Sequence, residues 1–296
     1  MNILIHLAEI MPQSRPFWEY SNPPPGMIAA GIFFMLLLCI GVAVDVGLVL
    51  HWIKRPVNWN ELKNTLKDRA IPARLLLTVF SITIGFYLLA SWLYLLLFPA
   101  GQLEGHTIVF QSLAFHFPVL FLIALLFRLS GIKGSAFFGL SRRKAPRRIG
   151  LGLLFYLAAL PMLWFYSTVF QLFLQKLGYD FSLQDITTVL AASGPWPMRM
   201  VLFFIAIIVA PVFEEIIFRG ILFPFLVQRL GFWSGIILVS LIFGGLHLHL
   251  PSFPPLFLLS VVFCLAYART RSLLVPITMH AAFNSVTILI LLLMDG

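Results

Sequence analysis

Long apolar runs rather than alternating positions dominate the chain. Runs of about 20 apolar residues recur between short polar intervals, where barrel strands would show about ten residues of alternating character. A hydrocarbon core about 30 Å thick needs about 20 helical residues. On that measure spans are predicted at residues 27–52, 75–98, 108–129, 149–174, 198–228, 232–249, 255–268 and 274–294. The pattern predicts an all-α, polytopic helical membrane protein of about eight transmembrane helices, forming a single membrane domain over 1–296. The seventh span is short, and its proline-rich approach (His249 to Pro255) predicts a broken or re-entrant start. The fifth is long and contains Pro211, which removes a backbone donor and predicts a kink there.

Composition agrees: 60% of the residues are hydrophobic, 10% are charged, and the mean hydropathy is +0.99. The formal charge of +9 does not point to nucleic acid, because the basic residues sit in short loops between apolar runs. Six lie between Lys54 and Arg74 and seven between Arg128 and Arg148. Arg229, Arg269 and Arg271 follow on the same side if eight spans alternate. The positive-inside rule then predicts a multi-pass protein, of the plasma membrane, with both termini non-cytoplasmic. The N-terminus lacks the basic start and unbroken apolar core of a signal peptide. It reads as interfacial, with Phe17, Trp18 and Tyr20 at headgroup level. A short surface helix is expected around Asp180, Gln184 and Asp185. Cys39 and Cys264 fall inside apolar runs, and neither suggests a disulfide or a metal site. No Walker or dinucleotide motif is present.

Of the 11 acidic residues, only Asp45, Glu214 and Glu215 fall within spans. Asp45 is near the basic end of span one and reads as reaching water or that loop. Ionisable groups in a span are functional candidates when a partner can be named. Glu215 and Arg219 are four apart and share a helix face, so they read as a structural brace. Glu214 is rotated about 100° away, has no cation at helical spacing, and reads as the reactive group. Two further spans carry polar pairs. His247 follows Phe243 by one turn across Gly244-Gly245, and His280 stands one turn before Asn284 beside Ala281-Ala282. Small residues let neighbouring helices come close. These groups are expected to converge, since each would otherwise need its own partner in hydrocarbon. His6, His51, His106 and His116 are read as structural, and His249 as interfacial.

In order, Glu214-Glu215 with Arg219, Phe243 with His247, and His280 with Asn284 resemble the three motifs of the type II CAAX prenyl protease and bacteriocin-processing family of intramembrane endopeptidases. The resemblance covers residues 197–291, a catalytic core in the C-terminal half. It implies peptide-bond hydrolysis in the membrane. Glu214 would be general base to a water, His247 would position that water, and His280 and Asn284 would stabilise the oxyanion. Glu215, Arg219 and Phe243 would shape the site. The family is also described as metalloproteases, and Glu214, His247 and His280 could ligate zinc with an open position for water. No H-E-x-x-H helix is present, and glutamate chemistry without a metal is preferred. The implied partner is a membrane-anchored peptide or protein within the lipid bilayer. Two other readings stay open: a non-proteolytic family member that sequesters a peptide, and a proton-coupled transporter relaying through Glu214.

Overall fold

The structure, a computed structural model, describes residues 23–66, 69, 71–98, 105–179 and 196–295. The expected interfacial aromatics (Phe17, Trp18, Tyr20) and the surface helix around Asp180, Gln184 and Asp185 lie outside the described residues. All regular structure among the described residues is helical.

Helix α1 (Pro25–Lys54) has proline in its first turn, where a missing N–H leaves no bond unmade. It stops short of Pro56. Helix α2 (Trp59–Asn64) lies in the following basic loop, capped by Asn58, whose side-chain oxygen accepts the Glu61 N–H at 3.1 Å. Helices α3 (Ala73–Leu97) and α4 (Gly105–Leu129) pack on each other. The single turn α5 (Gly134–Phe137) leads to the long α6 (Ala145–Lys176). Helix α7 runs from Trp196 to Leu230 and contains two π segments, Ile205–Val209 and Ile216–Leu222. Gly231, at φ 88°, turns the chain into α8 (Phe232–Gly245). Helices α9 (Phe253–Thr270) and α10 (Leu274–Asp295) complete the bundle.

Seven helical stretches among the described residues are long and apolar enough to cross a membrane. The sixth predicted span, at 232–249, differs. Its helix α8 has 14 residues, about 21 Å at 1.5 Å per residue. Gly244 and Gly245 weaken its end, and Leu248 takes up a left-handed conformation at φ 50°. The seventh span was the one expected to be short or broken, and here the structure corrects the sequence. A 3₁₀ turn, Leu250–Ser252, runs directly into the unbroken α9. Pro254 and Pro255 fall in the first turn of α9, where proline is tolerated, so they start the helix rather than interrupt it.

Helix α6 is the hub, packing on α1, α9 and α10. Its contact with α10 depends on Gly152, where a Cβ would stand 2.6 Å from the Thr278 Cβ and 2.8 Å from the Val275 carbonyl oxygen. In the apolar windows of α7, α9 and α10, 50–56% of residues are buried, against 17–28% for the first four. The C-terminal helices are therefore the bundle's interior. The earlier ones turn residues such as Ile32, Leu36, Leu77, Leu88 and Phe121 outward, as a lipid-facing surface requires.

Candidate active site

The two carboxylates stand in a short α segment of α7, Ala210–Glu215, flanked by the two π segments. In those segments backbone bonds reach five residues back: Ala210 N–H to the Ile205 oxygen, and Phe223 N–H to the Phe218 oxygen. The irregularity expected at Pro211 takes this form. With Ala210 donating to Ile205, the Ala206 carbonyl would need the N–H of residue 211 in π register, and proline has none. Asn284 supplies the missing donor: its side-chain nitrogen lies 2.7 Å from the Ala206 oxygen. One N–H of Asn284 thus holds the backbone of α7, and the second is left for a ligand.

Around the glutamates the charges form one chain of contacts. Arg219 donates to Glu215 Oε1 at 2.7 Å, and both side chains are fully buried. His280 Nδ1 lies 3.0 Å from the same oxygen. A carboxylate oxygen that already accepts from arginine is best met by a donor, so Nδ1 carries a proton. This turns His280 Nε2 toward Glu214, 3.9 Å from Oε2. Glu214 keeps 25% of its side chain exposed, yet its Oε2 is buried without a partner. The brace expected of Glu215 and Arg219 therefore has a third member, His280.

Aromatic rings wall the cluster. The Arg219 guanidinium lies 4.4 Å from the Phe243 ring centroid and 4.9 Å from that of Phe263. Phe243 also touches both histidines, with ring separations of 5.0 Å to His247 and 5.9 Å to His280. His247 enters the site through this ring, just beyond the end of α8. Its Nδ1 is 2.8 Å from the Phe243 carbonyl oxygen. A carbonyl can only accept, so Nδ1 is the donor and Nε2 is left as the open acceptor.

His116, read from the sequence as a satisfied structural residue, belongs beside this group. Its ring packs on Phe213, the residue before Glu214, at 4.8 Å, and its Nδ1 is buried without a hydrogen-bond partner. The available signal was a histidine in mid-span on α4. Ser112, one turn earlier, is the other polar residue on that face, and a serine in a span can be satisfied by its own helix, so it did not mark a site.

Among the described residues, no three histidine, cysteine, aspartate or glutamate side chains stand together as a metal-holding group. Of the set named for zinc, Glu214 and His280 approach each other at 3.9 Å, and the Glu215 contact at Nδ1 leaves His280 Nε2 open, as in metal-bound histidines; His247 is not grouped with them.

The family model described as "Type II CAAX prenyl endopeptidase Rce1-like" matches residues 195–286. A Bacillus subtilis (strain 168) protein named "Putative membrane peptidase YdiL" is 35% identical over 82 residues. That stretch is 28% of this chain and covers 34% of the relative's length. No solved structure matches. Glu214, Glu215, Arg219, Phe243, His247, His280 and Asn284 all fall within the matched residues, and His116 lies outside them. Residues 195–286 of this multi-pass integral membrane protein are an Rce1-like domain of the type II CAAX prenyl endopeptidase family.

Proposed function

We propose that the chain is an intramembrane endopeptidase in which Glu214 activates a water against a peptide bond of a membrane-anchored protein or peptide. The observation that carries this reading is the disposition of Glu214 and His280. A gap of 3.9 Å is too long for a direct hydrogen bond, and with Oε2 itself buried the attacking oxygen reaches Glu214 from the 25% of its side chain that stays exposed, beside His280. Glu214 takes a proton from that oxygen as it attacks the carbonyl, and returns it to the leaving amine. His280, protonated on both ring nitrogens and held through Nδ1 by Glu215, donates its Nε2–H to the water oxygen and then to the developing oxyanion. Asn284 offers its second N–H to the oxyanion, and His247 Nε2 orients the water from the other wall. Glu215 and Arg219 touch no reacting atom. They hold His280 in place.

The whole chain serves as one membrane domain, with residues 197–291 as its catalytic core. Its basic loops face the cytoplasm, and both termini lie on the far side of the plasma membrane. No step is assigned to a metal, since among the described residues no three ligand side chains stand together.

The test is cleavage of a reporter library of membrane-anchored peptides by purified protein, with Glu214→Gln as control. The substitution preserves shape and removes the base. The expected result is new peptide termini with wild-type protein and none with the variant, at unchanged thermal stability. Cleavage retained by Glu214→Gln would overturn the assignment. Proton-coupled solute uptake abolished by Glu214→Gln, without cleavage, would favour a transporter.

A further inference from the structure

Away from the glutamates, a cavity of about 500 Å³ opens beside the basic end of α4. Its walls are Leu120, Ile123 and Phe127 of α4, Ile132 and Phe138 of the turn that follows, and Ile216 of α7. Two cations, Arg128 and Lys133, stand among these apolar walls. Arg128 is in the last turn of α4, at the end of a membrane span, hence at headgroup level. Leu120 lies eight residues deeper, about 12 Å along the helix axis. The cavity is therefore cationic where headgroups lie and apolar where acyl chains lie.

The charge around it is one-sided. From Gly105 to Tyr179 the sequence contains eight lysines and arginines and no aspartate or glutamate. Glu61, the acidic residue described in the preceding loop, lies in a different pocket with Arg269 and Arg271. Among the described residues, no ion pair is formed by Arg128 or Lys133. Two unpaired cations above an apolar slot of ligand size call for an anion attached to a hydrocarbon chain.

We propose that this cavity is a binding site for one anionic phospholipid, its phosphate between Arg128 and Lys133 and an acyl chain running down toward Ile216. The site is independent of what the glutamates do, yet it is built against them. Ile216 directly follows Glu215 and opens the second π segment. Phe138 forms a wall of the cavity and presses on the same segment at Gly220, where a Cβ would stand 2.7 Å from its ring. The backbone carbonyl of Phe138 accepts the Leu273 N–H at 2.9 Å, which ties this wall to the turn before α10. A bound chain thus lies against the helix that carries both carboxylates.

Native mass spectrometry of the full chain, equilibrated with mixed micelles of phosphatidylglycerol and phosphatidylcholine, tests this. Wild-type protein is expected to retain one phosphatidylglycerol, preferred over phosphatidylcholine by about tenfold or more. Arg128→Ala/Lys133→Ala, at two exposed positions, is expected to abolish that preference. Arg142→Ala/Arg143→Ala, which removes equal charge outside the cavity, is expected to leave it intact. Ala124→Trp fills the slot and is expected to remove the retained lipid with both cations still present. Millimolar glycerol phosphate is expected not to displace the lipid. The proposal is overturned if the preference survives Arg128→Ala/Lys133→Ala, or if the Arg142→Ala/Arg143→Ala control lowers it equally. Displacement by glycerol phosphate would also overturn it, because the site would then be one for a free anion.

Discussion

Replacing Arg219 by methionine keeps the length and apolar contacts of the side chain and deletes its charge. In the native protein the guanidinium is fully buried, bonded to Glu215 at 2.7 Å and stacked between Phe243 and Phe263. Arg219→Met leaves the Glu215 carboxylate fully buried with only His280 beside it. Breaking a buried pair from one side costs about 3–5 kcal/mol, and the stacking adds to what is lost. The surviving bond from His280, 3.0 Å away, offsets part of this, so a net loss of about 3 kcal/mol is expected, roughly a hundredfold in the folding equilibrium. Reversible unfolding in mixed detergent and dodecyl sulfate micelles, followed by tryptophan fluorescence, reads that loss. Glu215→Gln/Arg219→Met removes both charges and is expected to recover to within about 1 kcal/mol of wild type, since a neutral pair pays no charge burial. A loss below about 1 kcal/mol for the single variant would refute the brace. So would a double variant as unstable as the sum of the two singles.

Asn284→Ala is expected to cost about 1–3 kcal/mol by orphaning the Ala206 carbonyl. Adding Pro211→Ala should restore part of that stability by supplying the missing N–H, but not the lost cleavage, as thermal unfolding and turnover would show. His116→Gln is expected to lower kcat by about tenfold with KM unchanged and to move the pH profile of cleavage, if the ring acts on Glu214 as a positioning residue; an unchanged profile would return it to a packing role. Gly220→Ala drives a methyl into Phe138 and is expected to destabilise by about 1–3 kcal/mol; Phe138→Leu in the same chain should relieve most of that, measured by the same unfolding titration.

What the sequence made legible was whatever is local to one helix. Glu215 and Arg219 are spaced by one turn, and they pair as that spacing requires. His280 and Asn284 share a face of α10 for the same reason, and both reach α7. The positions of seven spans were readable from apolar length, while the apolar run at 232–249 outlasts its helix, which ends at Gly245. What could not be read were relations set by three-dimensional packing. His116 is almost a hundred residues before Glu214 in sequence, and nothing along α4 announces that its ring packs on Phe213, the neighbour of Glu214. The work done by Asn284 on Ala206 needed the π register of α7, which no hydrophobic pattern encodes. Prolines misled at 251–255 because the same residue starts a helix or breaks one according to where the first turn falls.

The brevity of α8 has a consequence for the membrane itself. At about 21 Å it is roughly 9 Å shorter than an average hydrocarbon core, and the chain beyond it leaves helical geometry at His247 and turns Leu248 outward, 93% exposed. A bilayer meeting this flank relieves such a mismatch most simply by thinning, at fractions of a kcal/mol per Å. Thinning draws the polar surface down toward His247, so that water reaches this flank by a shorter route than through the bundle. It also makes lipid thickness a control variable: longer acyl chains raise the cost of that dimple, shorter ones lower it, and the protein is favoured where the bilayer is already thin.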